Sequence, residues 1–95
     1  MKFRKKPVVI EAMLWDGENH RGMFDFLTGT ENEPIVAYHG RFYIDFKRGA
    51  GGLVIQTLEG DHFANIGDYI VRGVKAELYP VKPDIFAMTY EQIEE

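Results

Sequence analysis

Apolar residues fall on both parities between Val8 and Trp15, with Val8, Ile10, Ala12 and Leu14 alternating against Val9, Met13 and Trp15. A strand covered on both faces produces this pattern, which predicts a first strand that is central in its sheet. Asp16-Gly17 then predicts a turn, and Glu18 or Asn19 is placed to cap one short helix near residues 19–28. In that helix Met23, Phe24 and Leu27 share one face, with Phe26 beside them. Thr28-Gly29 ends it, because glycine enters the left-handed conformation common just past a helix without steric cost.

Extended segments are predicted at Ile35 to Tyr38, Arg41 to Phe46 and Leu53 to Leu58, separated by His39-Gly40 and by Gly49-Ala50-Gly51-Gly52. Phe42, Ile44 and Phe46 alternate with Arg41, Tyr43 and Asp45, the period of a strand with one buried face. Glu59-Gly60 predicts a hairpin into Asp61 to Ala64, and Ile66-Gly67-Asp68 a tight turn into Tyr69 to Arg72. Gly73-Val74-Lys75 turns the chain into Glu77 to Val81. Pro80 and Pro83 cannot donate to a ladder, so that strand lies at an edge or stops there. A helical turn near residues 83–87 and a last strand near Met88 to Glu91 complete the pattern. The fold class predicted is α+β: an antiparallel, strongly bent sheet or partial barrel of about five to seven short strands, with a helix packed over an open end.

Composition turns this pattern into a bounded problem. Ninety-five residues, 45% hydrophobic and 14% aromatic, are expected to form one domain with its own core. Cysteine is absent, so disulfides, thiolate metal sites and cysteine nucleophiles are excluded, and the bacterial cytoplasm is the expected address. Val8 to Trp15 is too short and is broken by Glu11, so the basic start is not read as an export signal; no apolar run approaches a membrane span. Charge is uneven: residues 1–48 carry 8 basic and 7 acidic side chains, residues 49–95 only 3 basic against 8 acidic. Lys2, Arg4, Lys5 and Lys6 form the only basic cluster, too little for a nucleic-acid stripe, and read as a solvated lead-in that protects the first strand from edge pairing.

A resemblance covers nearly the whole chain. It is carried by Lys2-Phe3-Arg4-Lys5-Lys6-Pro7-Val8-Val9-Ile10-Glu11-Ala12, by Thr57-Leu58-Glu59-Gly60 and by Gly67-Asp68-Tyr69-Ile70-Val71-Arg72-Gly73-Val74-Lys75. Tyr79-Pro80-Val81-Lys82-Pro83-Asp84-Ile85-Phe86 and Thr89-Tyr90-Glu91 extend it. In order and spacing these resemble the small phage and prophage proteins built around a Pro-Gly-Asp-Tyr-Ile turn. The family lacks an established biochemical activity, so the resemblance implies a setting and no reaction. Ile66 stands where that family typically has proline and Ala76 where it often has glycine; Ala76 fits only if its position does not require a positive φ.

Candidate chemistry is sparse. His20, His39 and His62 show no metal-ligand spacing, so no metal site and no cofactor are expected. Asp61-His62 with Asp68 is the densest acid/base group, but neighbouring strand residues point to opposite faces, which leaves only Asp68 able to approach His62. Asp68 itself reads as a turn-forming aspartate. No serine occurs, and no glycine spacing suits a phosphate loop. No catalytic set is therefore predicted. The residues singled out for ligand binding are Trp15, Tyr43, His62, Tyr69, Arg72 and Tyr79, since aromatic faces and guanidinium groups stack on ligands and also suit oligomer contacts. The reading is a non-enzymatic phage or prophage accessory protein, a homo-oligomer with a small-molecule or host-protein ligand, binding neither nucleic acid nor membrane. The alternatives are sequestration of a small nucleotide-type host signal, a small hydrolase using His62 with Asp68 or Glu77, and a minor virion component.

Overall fold

Helix α1, His20–Thr28, forms where an apolar stripe recurs at helical spacing: Met23, Phe24 and Leu27 are buried together. Its start departs from the simple cap expected. Asn19 occupies the N-cap position but makes no side-chain cap hydrogen bond. Its Nδ2 instead donates to the Leu14 carbonyl at 2.7 Å, while Asp16 Oδ1 accepts from the Glu18 and Asn19 amides at 2.7 and 2.8 Å. Asp16 thus shapes the entry to the helix. Gly29 closes it at φ 74, its amide bonded to the Asp25 carbonyl.

The computed structural model describes residues 1–4, 6–29, 42–45, 52–57 and 59–93, with the side chains of 43–45 outside that description. The strand expected at Ile35 to Tyr38 and His39 lie outside it, as do Arg41, Phe46 and the start of the glycine-rich loop. Within it the chain is α+β. Six strands and a second helix accompany α1: β1 (Glu11–Leu14), β2 (Phe42–Asp45), β3 (Gly52–Thr57), β4 (Gly60–Ala64), β5 (Tyr69–Arg72), β6 (Leu78–Val81) and α2 (Pro83–Thr89).

Two antiparallel three-stranded sheets result, β1-β5-β6 and β2-β3-β4, instead of one continuous bent sheet, and no barrel closes among the described residues. The chain passes between them at Asn65–Asp68, where the Asp68 amide bonds back to the Asn65 carbonyl and Gly67 stands at φ 99. A positive φ at the third position makes this a type II turn, which redirects β5 away from β4 instead of pairing them. Asp68, 3% exposed, accepts from the Asn65 amide at 2.9 Å and from Lys82 Nζ at 2.8 Å, so the turn-forming reading of this residue matches its position.

One core joins both sheets to α1. Trp15, Met23, Phe24, Leu27, Phe42, Leu53, Ile55, Ala64 and Ile70 pack as a single buried cluster. β3 is central in its sheet and buries Leu53, Val54 and Ile55 in succession, as a strand covered on both faces must.

Two expectations are corrected. β1 is an edge strand, not a central one; β5 holds the centre and buries Ile70 and Val71 completely. Apolar residues on both parities reported that the sheet is covered on both faces, which applies to its edges as much as to its middle. The last strand, expected near Met88 to Glu91, is replaced by α2, launched by Pro83 at its first position and running to Thr89. Pro80 does lie in an edge strand, β6.

Candidate binding groove

Strand register assigns the two faces of sheet β1-β5-β6. Glu11 pairs with Arg72 and Met13 with Ile70, while Ala12 pairs with Val71 and Leu14 with Tyr69. Leu78 continues the first set and Tyr79 the second, opposite Val71. Side chains directly opposite share a face in an antiparallel pair. The first face therefore looks toward α1 and the shared core; the second, with Tyr69 and Tyr79, looks toward α2.

Helix α2 buries no residue. It is fastened by an aromatic chain: Phe86 stacks on Tyr69 with centroids 3.9 Å apart and planes 7° from parallel, and Tyr90 leans on Phe86 at 5.0 Å. A hydrogen bond to Tyr90 pushes the Tyr79 hydroxyl up to about 12, with burial and the nearby Glu77 carboxylate acting in the same direction. That direction means Tyr79 holds its proton to higher pH than a free phenol does.

Between residues 6–12 and residues 83–93 this arrangement leaves a groove of about 1190 Å³, with Phe26, Tyr69, Phe86 and Tyr90 as its aromatic lining. Val8, Val9 and Ile10 form one wall, and Ala87 and Ile93 the other. Lys6, Glu11 and Glu91 are its charged residues. At one end Arg72 lies over the Phe26 ring, 4.4 Å from guanidinium carbon to centroid, and reaches Glu11 at 3.5 Å. Its Nη2 is buried without a hydrogen-bond partner among the described residues.

Of the residues singled out from sequence, Tyr69 lines the groove, Tyr79 holds its Tyr90 side, and Arg72 supports Glu11 and Phe26 at its end. The other three lie elsewhere. Trp15 is a core residue, fully buried and stacked on His20 at 5.6 Å, which leaves it no surface for a ligand. His62 is half-buried on β4 opposite Ile55, in the other sheet. Tyr43 pairs with Val54 in β2, and its side chain lies outside the described residues.

The groups offered to His62 are otherwise engaged. Asp68 is ion-paired with Lys82, and Glu77 Oε2 accepts the Lys75 amide at 2.8 Å across the β5–β6 turn. Among the described residues no three histidine, aspartate or glutamate side chains gather as a metal site, and no helix is long and apolar enough to cross a membrane. Phe26, Phe86, Glu11 and Glu91 escaped the sequence reading, whereas Tyr90 belongs to the tyrosines whose rings suit stacking on a ligand. Ile85, Phe86, Ala87 and Met88 in one short helix were the available signal, since a helix apolar all round needs cover on more than one side.

Compared with family models, with curated proteins and with solved structures, the chain finds no match.

Proposed function

We propose that this protein works by binding, without catalysis, and that its binding surface is the groove between residues 6–12 and α2. The observation that carries this reading is an aromatic-lined groove that keeps large apolar side chains in solvent, Val8, Val9 and Ile93 among them. Exposed apolar patches beside a concave surface are characteristic of association sites. The setting implied by the sequence resemblance is a phage or prophage protein acting in the bacterial cytoplasm, and the partner favoured is a protein chain. Tyr69, Phe86 and Tyr90 have faces that suit a nucleobase, but the lining carries two carboxylates, Glu11 and Glu91, against one lysine, Lys6, a balance that disfavours the phosphates of a nucleotide-type signal. An extended polypeptide meets no such repulsion, because its apolar side chains fill the groove and its backbone is uncharged.

Site-specific photocrosslinking tests the reading in producing cells. A photoreactive residue at Ala87, exposed on the groove wall, is expected to give a discrete protein crosslink, and one at Asp61, exposed on β4, is expected to give none. Crosslinks from Asp61 and none from Ala87 would place the binding surface on the other sheet and remove this proposal.

A further inference from the structure

We infer that the occupant of the groove is residues 1–4 of a second copy of this chain, which precede the groove wall, so that two copies exchange their N-terminal arms. This rests on the groove being the binding surface and adds the identity of what fills it. Three observations converge on it.

The arm is an uncovered apolar segment. Phe3 is 88% exposed and Met1 is fully exposed, and both precede the groove wall, which begins at Lys6, and the first ladder pair, at Glu11. Burying such side chains contributes about 25 cal/mol for each Å² removed from water, so an arm left in solvent forgoes stabilisation that a partner surface supplies. The receiving surface is uncovered in the same way: Val8, Val9 and Ile93 line the groove and are exposed.

Charge is complementary between the two surfaces. Residues 1–6 carry Lys2, Arg4, Lys5 and Lys6 with no acidic residue, whereas residues 83–93 carry Asp84 and Glu91 with no basic one. The arm's own sequence is therefore matched, in polarity and in sign, to the segment that forms the far wall of the groove.

Reach is sufficient. Four extended residues at about 3.3 Å each span roughly 13 Å, while the seven residues of α2 extend only about 10 Å at 1.5 Å per residue. A two-fold exchange uses the same arm and the same groove on each copy, so the contact is self-complementary and closes at two chains.

Light scattering on the eluting protein tests the exchange. The chain is expected to run at twice its 10.9 kDa mass and to fall toward the single-chain mass as salt is raised. An arm variant (Lys2→Glu, Arg4→Glu, Lys6→Glu) and a wall variant (Asp84→Lys, Glu91→Lys) are each expected to elute as single chains. Mixed in equal amounts, the two are expected to recover the double mass, because the reversed arm again meets a wall of opposite sign. All these positions except Lys6 and Glu91 lie away from the groove lining, and melting curves on each variant confirm that it is folded. A wild-type chain that stays single at high concentration overturns the exchange, and so does a double mass that both variants retain. If the single chain still crosslinks another protein from Ala87, the binding groove stands and its occupant is a different partner; if Ala87 crosslinks nothing, both proposals fall.

Discussion

Ala76 sits at φ 63, in the left-handed region where a side chain costs about 1–2 kcal/mol relative to glycine. Its amide closes the turn by bonding to the Gly73 carbonyl at 3.0 Å, and Gly73 donates to the Glu77 carbonyl at 2.8 Å. A turn followed by one left-handed residue is the usual glycine-bulge geometry of a short hairpin loop. The condition set for Ala76, that its position not need a positive φ, is therefore not met. Ala76→Gly is expected to raise stability by about 1 kcal/mol in urea denaturation, since relief of strain exceeds the added flexibility of the unfolded chain. A lowered midpoint would contradict this. Ile66 is the mirror case. It occupies the second position of a type II turn, which proline favours, so Ile66→Pro is expected to add about 0.4–1 kcal/mol by narrowing the unfolded ensemble, checked by the same titration. The resemblance marked both positions as departures lying in turns, but the left-handed φ that Ala76 must adopt became visible only in the folded chain. The burial of Trp15 was not legible from sequence either, because its neighbours, such as Ile70, come from distant parts of the chain.

At the scale of elements, α2 is held to its sheet by half-buried side chains. Phe86→Ala removes the stack on Tyr69 and the contact with Tyr90, while the core cluster around Trp15 and Ile70 is untouched. The expected result is faster amide exchange across residues 83–90 with little change at β3 and β5, as befits an element that opens separately from the core. Uniform loss of protection across both sheets would show that α2 belongs to the core instead. The Tyr79–Tyr90 bond adds a pH signature. Because the folded state raises Tyr79 from 10.0 to about 12, its contribution is fully present below pH 10 and is lost as pH rises toward 12. Tyr79→Phe is expected to show a shallower loss of stability over that interval in melting curves; an identical alkaline slope would contradict the assignment.

Much at this scale could be read from the chain. The Glu59-Gly60 hairpin, Tyr69 to Arg72 as a strand and the glycine stop of α1 follow from contiguous signals, and each has its expected place. Short apolar runs were harder. Ile85 to Met88 fits a strand end or a buried helix turn equally well by period, and Pro83 decided for the helix. The position of β1 in its sheet depends on which strand pairs with its other side, and alternation along β1 carries no record of that.

For the whole molecule, the groove is a product of long-range placement: its two walls, residues 6–12 and 83–93, lie at opposite ends of the sequence. Individual members such as Tyr69 could be picked out from sequence as ligand-type residues, but only the β1–β5–β6 ladder shows that they face α2 while Trp15 faces the core. The uneven charge, basic at the start and acidic toward the end, was visible from composition. The proposed arm exchange draws on that asymmetry together with geometry, which sets Asp84 and Glu91 in the segment that forms one side of the groove.

Amide hydrogen exchange compared between dilute and concentrated protein tests this account most directly, because it reads the arm, the groove and the rest of the fold in one experiment. Exchange is predicted to slow with concentration across residues 1–12 and 83–93 while β3 and β4 remain unchanged. Protection that does not depend on concentration in those segments, or that appears instead along β4, would contradict it.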